Sequence, residues 1–257
     1  MKKVLYFISA IALMATAIAC GDNKGPDKID DETGVAYRIS QLRDAWDWWD
    51  FVYNENGQII KVDRDNGDRV WNFAWNGKTA TITGRDEFNF VLGDNGMIAT
   101  LNWKDGSVYT FTYDKDGYLT QSKKDGAVVS TITVTNGNIT KVVEGETTME
   151  FEYGTVENKY GIQHFYQDEF NVLYPKWYRF IIESGLLGKA SKNVATKFKM
   201  DGTEICPIEC SVETPTEASD GYVAGKEYTI VKGKKAPTDE MGKVIHKYLF
   251  EEYTPAK

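Results

Sequence analysis

The chain has 257 residues, 26 % charged and 42 % hydrophobic, ordinary values for a globular protein with room for one large β domain or two small ones. Its formal net charge of −8 excludes a global field that would draw in nucleic acid or anionic lipid. Aromatic residues reach 13 %, with 7 Trp and 15 Tyr, and aromatics favour strands, so a β-rich core is expected.

The N-terminus comes first in chain order. Lys2 and Lys3 make a positive opening, and Val4 to Ile18 form an apolar run too short for a comfortable transmembrane helix. The run ends "ATAIAC", with small Ala17 and Ala19 before Cys20. This order resembles a bacterial lipobox, with Ala17 where Leu is usual. The resemblance implies a signal peptide over 1–19, cleavage before Cys20, and acylation of the Cys20 thiol and amine. Each buried methylene contributes about 0.8 kcal/mol, so several chains anchor stably. Loss of Lys2 and Lys3 takes the charge from −8 to −8 − 2 = −10. Gly21, rather than the Asp of an inner-membrane retention signal, follows the Cys, so an outer-membrane lipoprotein is expected. Residues 20–34 then read as the lipidated Cys and a polar, acidic, flexible tether. Its acidic residues resemble surface-export signals of gut-anaerobe lipoproteins, which favours the cell surface over the periplasm.

Residues 35–257 read as a single β-rich domain. It opens on "DAWDWWDF", Asp44 to Phe51. As a strand, this puts Trp46 and Trp48 on one side and Asp47, Trp49 and Phe51 on the other. Trp beside carboxylate is the chemistry of sugar stacking and of protein hot spots, so Trp46 and Trp48 are either a ligand platform or core beneath the tether or the 170–186 segment.

From about 44 to 153 an aromatic strand, an Asn-Gly or Asp-Gly turn and an aliphatic strand recur. The turns fall at Gly57, Gly77, Gly96, Gly106, Gly117, Gly126 and Gly137, where tight hairpins accept positive φ. Alternation puts Trp71, Phe73 and Trp75 on one face, as it does Phe88, Phe90 and Leu92, then Met97, Ala99, Leu101 and Trp103, then Tyr109, Phe111 and Tyr113, and last Met149, Phe151 and Tyr153. The other face is polar, as in an antiparallel sheet that is wet on one side. An all-β, antiparallel up-and-down meander is expected.

The units "FVYNENGQIIKV" and "FTYDKDGYLTQS" resemble the Tyr-Asp repeats of bacterial surface proteins. With the lipobox and the later "SGLLGKASKN", they resemble an uncharacterised family of gut-bacterial lipoproteins whose fold is porin-like. The resemblance implies a curved sheet or porin-like half-barrel and transfers no catalytic residue. A membrane pore does not follow. Transmembrane strands need about 9–11 residues and an apolar outer band, whereas these look shorter and carry Glu, Asp and Lys outward.

After Tyr153 the pattern changes. Phe170, Leu173, Trp177, Phe180 and Ile181 stand near helical spacing, with Pro175 placed for a first turn and Gly185 for a C-cap. A short helix or aromatic loop near 174–186, covering the aromatic face, is expected. Strands resume in "KFKMDGTEICPIEC", "EYTIVKG" and "VIHKYLFEEY". Cys206 and Cys210 have the redox conditions to pair outside the cytoplasm. A straight strand sets their Cα atoms about 13 Å apart, so a disulfide requires Pro207 to begin a turn; both arrangements stay open.

Chemistry is sparse. "DRDNGD" at Asp63 resembles an EF-hand start, but the Gly falls fifth instead of sixth and no Glu stands at position twelve; "DKDG" at Asp114 fails alike. His164 and His246 form no metal-spaced pair. No cofactor, metal site or catalytic residue is implied. The sequence reads as a membrane-anchored lipoprotein with a non-enzymatic binding or structural role, its partner a glycan or a surface protein. A glycan hydrolase using a carboxylate pair is the alternative.

Overall fold

The structure, a computed structural model, describes residues 28–29, 36–43, 48–64, 67, 69–158, 161, 163, 179–211, 223–224, 227–231 and 243–253. The chain opens with β1 (Lys28–Ile29), β2 (Ala36–Arg43) and β3 (Trp48–Tyr53). Hairpins then carry it through β4 (Ile59–Arg64), β5 (Arg69–Asn76), β6 (Thr79–Gly84), β7 (Phe88–Leu92) and β8 (Ile98–Trp103). They continue through β9 (Val108–Tyr113), β10 (Leu119–Lys124), β11 (Ala127–Thr135), β12 (Asn138–Glu144) and β13 (Thr147–Glu157). A short helix, α1 (Arg179–Glu183), precedes β14 (Asn193–Met200), β15 (Thr203–Ser211), β16 (Val223–Ala224), β17 (Glu227–Val231) and β18 (Lys243–Tyr253).

From β2 to β15 each strand pairs antiparallel with the next. The expected all-β up-and-down meander is present. Its ladders run on from β15 to β17, from β17 to β18, and from β18 back to β2, where Lys247 faces Arg43 and Tyr253 faces Ala36. The sheet therefore has an inner and an outer face.

The inner face is aromatic and packed. Trp71 and Phe90 are fully buried, as are Leu42, Ile82, Ile98 and Ile139. One expected row is corrected. Met97, Ala99, Leu101 and Trp103 do not share a face throughout, because a bulge pairs Leu92 with Ile98 after Val91 pairs with Thr100. The extra residue reverses the phase, and Ile98 turns inward.

The recurring Phe-x-Tyr-Asn/Asp unit has a physical cause. Tyr53 and Tyr113 donate their hydroxyls to the carbonyls of Ile39 and Ile98, both at 2.7 Å. Tyr153 donates to Ile139, and Trp75 donates its indole N–H to Ile59 at 2.7 Å. Each ring thus ties its strand to the strand before it. The next residue builds the turn. Asn54 Oδ1 accepts the amides of Asn56 and Gln58, both at 3.0 Å, and Asp114 Oδ1 those of Asp116 and Tyr118, both at 2.9 Å. Gly57 and Gly117 close these loops at φ 76° and 89°, angles that an L side chain resists. The hairpins at Asp125–Gly126 and Asn136–Gly137 are tighter, with positive φ at both residues, as two-residue turns demand.

The outer face is polar: Thr81, Thr83, Thr110, Thr131 and Thr133 are exposed, and Asn102 donates to Asn89 across β7 and β8 at 2.8 Å. Glu152 pairs with Lys197 and Lys199 at 3.4 and 2.8 Å. No described helix is long and apolar enough to cross a membrane, which leaves β-strand crossing to be judged from this outer face.

Candidate functional site: the inner face and its two ends

One end of the sheet is closed by the chain that follows α1. The helix forms where the sequence places it, and Phe180, Ile181 and Ile182 are all buried. Phe180 fits among Trp49, Trp71 and Phe73, with ring centroids 6.0, 5.1 and 5.8 Å away. Gly185 ends the helix at φ 76°, its amide on the Ile182 carbonyl at 3.0 Å. This agrees with a short helix covering the aromatic face; residues 174–178 lie outside the described residues.

Residues 184–192 then run as a strap over three hairpin turns. Leu186 O accepts from Ile98 N at 2.9 Å, Lys189 N donates to Gly117 O at 3.0 Å, and Lys192 N donates to Gly137 O at 2.8 Å. Ser191 Oγ accepts from Ile139 N at 3.0 Å and lies 2.8 Å from the Tyr153 hydroxyl. Asn158 and Gln163 hold the strap from its other side, on Ser191 O at 2.9 Å and Gly188 O at 3.0 Å. At Gly188, with φ +104°, a Cβ would sit 3.0 Å from Leu119 N and 3.2 Å from Gly117 O. Burial pushes the Tyr113 and Tyr153 phenols well above their ordinary range, which keeps both as donors.

At the opposite end the inner face turns polar. Register puts Ser122 beside Ser130, and Ser130 beside Glu144. The two serines are buried, with hydroxyls 2.6 Å apart. Glu144 is half-buried, and loss of solvent pushes its carboxyl up to about 7. Lys124 lies over the Tyr109 ring at 5.6 Å. Around the same end Trp49 stacks on Trp71 at 5.4 Å, Arg64 lies 4.8 Å above Trp49, and the Trp71 indole donates to Asp86 at 3.3 Å. A carboxyl near neutrality can exchange a proton, but its cross-strand neighbours are Ser130 and Thr147; the register brings no second carboxylate to it as a glycosidase pair requires.

The residues singled out by sequence fall as follows. Trp48 opens β3 opposite Arg43, and its side chain, like Trp46 and Cys20, lies outside what the structure describes. Their neighbours Trp49 and Phe51 are core, at 4 and 6 % exposure. Cys206 and Cys210 both stand in β15, which continues through Pro207 and pairs Cys206 with Phe198 and Cys210 with Tyr228; their thiols lie outside the described side chains. Asp114 is a turn-builder, as the hydrogen bonds above show, while Asp65, Asn66 and Asp68 lie outside the described residues. Sequence reasoning missed the Ser122–Ser130–Glu144 row. A signal was present: Ser130 falls in phase with Ile132 and Val134, and Glu144 with Val142, marking polar residues on an apolar face.

Comparison with known proteins bears on this architecture alone. A solved porin-like protein from Bacteroides uniformis is 13 % identical, with a TM-score of 0.54 over 88 % of this chain and 94 % of that one. A porin-like protein from Bacteroides vulgatus is 12 % identical, with a TM-score of 0.46 over 82 % of this chain and 97 % of that one. No protein-family model matches the chain, and no curated protein does. The class defined is an all-β, antiparallel sheet with the fold of the Bacteroides uniformis porin-like protein.

Proposed function

We propose that this chain is an outer-membrane lipoprotein, tethered through acylated Cys20 and facing the cell surface, whose β body stands in water and has a non-enzymatic binding or structural role. The observation that carries this reading is the sidedness of the sheet. Its inner face is filled by Trp71, Phe90 and Phe180, and its outer face carries exposed Thr, Glu and Lys. A transmembrane barrel has the opposite polarity, with apolar residues toward lipid and a polar interior. The strands support the same reading, since most of those from β3 to β10 hold 5 or 6 residues. A sheet built to stand in water, behind "ATAIAC" and an acidic tether, needs a lipid to remain at a membrane. Among the described residues the cross-strand neighbours of Glu144 are Ser130 and Thr147, hydroxyls and not the second carboxylate of a two-carboxylate hydrolysis, which supports the non-enzymatic reading.

The test combines fractionation, acyl labelling and protease shaving. The wild type is expected to sediment with outer membranes, to incorporate a palmitate analogue, and to be cleaved by protease added to intact cells. Cys20→Ala is expected to lose the label and to appear in the soluble fraction. Label retained by Cys20→Ala would overturn the tether, and full protection in intact cells would overturn the surface orientation.

A further inference from the structure

In one sector of the outer face the strand positions carry no charge, which is confined to the connecting turns. Strands β5 to β9 present Asn72, Thr81, Thr83, Asn89, Asn102 and Thr110 outward, and every other outward register position on these strands is Thr, Asn, Val or Ala. Charge begins abruptly at the borders. Lys61 and Asp63 on β4 face Asn72 and Val70, and Lys123 on β10 faces Thr110. Farther round, Lys141 faces Glu150, and Glu152 meets Lys197 and Lys199. Strand propensity accounts for threonine on an outer face but not for the missing charges, because Lys and Glu occupy equivalent positions on β12 to β14 of the same sheet.

Size and chemistry narrow what such a field can receive. Five strands about 4.8 Å apart, each offering a few outward positions about 7 Å apart, cover on the order of 400 Å². A stable protein interface buries about 800 Å² on each partner, so the field is too small for a second copy of the chain. A charged ligand finds counter-charge only at the edges, on Lys61, Lys123 and turn residues such as Lys78, Arg85 and Lys104, and none across the strands. An apolar ligand finds only scattered methyl groups, with Val91 the exposed large aliphatic of the field's interior. Hydroxyls and amides beside threonine methyls match a ligand that is itself hydroxyl-rich and neutral. We propose that the outer face of β5 to β9 binds a strand of uncharged polysaccharide. This rests on the binding role proposed above and assigns it a place and a ligand class.

The experiment is affinity electrophoresis of the mature chain through gels containing neutral polysaccharides (glucan, mannan, galactan and xylan) or acidic polygalacturonate. It is run beside the double variant Thr81→Glu/Thr110→Glu. Both positions are exposed, so an unchanged melting temperature verifies the fold of the variant. At least one neutral polymer is expected to retard the wild type, polygalacturonate to have no effect, and the variant to lose retardation at least tenfold. Retardation that survives in the variant would overturn the location while leaving a binding role standing. No retardation by any neutral polymer would overturn the ligand class, and membrane release of Cys20→Ala is judged separately. A concentration-dependent dimer abolished by the variant would give the face to a second copy and overturn the proposal.

Discussion

The two ends of the sheet are built from the same hairpins but finished differently. At the strap end, Tyr53, Trp75, Tyr113 and Tyr153 each donate to an Ile carbonyl, and the 184–192 strap covers the turns at Gly117 and Gly137. At the other end the inner face holds Ser122, Ser130, Glu144, Lys124 and Arg64, with charge close to aromatic rings. The repeat is therefore directional. Its aromatic donor lies just before the turns that follow β3, β5 and β9, and within β13, so one end gains a backbone tie in four strands. The opposite end is left to carry polar groups, which cost stability when they lose water.

This contrast can be broken in graded steps. The largest effect is expected where α1 meets the sheet. Trp71 is 1 % exposed, stacks on Trp49 and meets Phe180 at a tilt, so Trp71→Ala should cost about 3–5 kcal/mol in urea unfolding. A cost under about 1 kcal/mol would mean that the helix does not cover this face. Next is Gly188→Ala at the strap. Its positive φ and the backbone atoms near the added methyl predict a loss of about 1–3 kcal/mol. The same change at Gly106, where φ is +88° and nothing lies within 4 Å, should cost less, and equal losses would deny the strap its tight seat.

Tyr153→Phe sharpens the comparison further. The hydroxyl serves both Ile139 O and Ser191 Oγ, and its loss should cost about 1–2 kcal/mol. Tyr53→Phe, which loses the hydroxyl's bond to the Ile39 carbonyl, should cost about 1 kcal/mol. Hydrogen exchange should quicken at Ile139 and Ser191 in the first variant and not in the second.

The smallest effect has the opposite sign and belongs to the polar end. The folded-state pKa of Glu144 is about 7, above its ordinary 4.5. The unfolded chain is therefore the easier place to ionise it, and stability falls as pH rises from about 4.5 through 7. Glu144→Gln should leave stability unchanged at pH 4 and raise it at pH 8 by about 1 kcal/mol, a figure reduced for the group's half exposure. A stability difference that does not change with pH would place Glu144 in open solvent.

Much of this was legible in the sequence for a local reason. A two-residue period fixes which side chains share a face, and Asn-Gly and Asp-Gly fix where strands reverse, so the aromatic rows of β5, β7, β9 and β13 could be read off directly. The row of β8 could not, because the bulge at Leu92 and Ile98 inserts one residue that only the pairing with β7 reveals. The helix near Phe180 and its Gly185 cap were also local. That Phe180 enters between Trp49, Trp71 and Phe73 was not, since those residues stand more than a hundred positions away. The Ser130–Glu144 row was half legible: the phase was visible, but the loss of solvent that moves the carboxyl depends on what surrounds it.

Strand periodicity, turn positions and the polarity of the two faces are local properties of the chain, because each follows from neighbours within a few residues. Tertiary structure decided how far the ladders continue, returning from β18 to β2, and which turns the strap seals. It also decided that the aromatic of the repeat binds a carbonyl on the preceding strand, since pairing across the sheet brings together groups that chain order keeps apart.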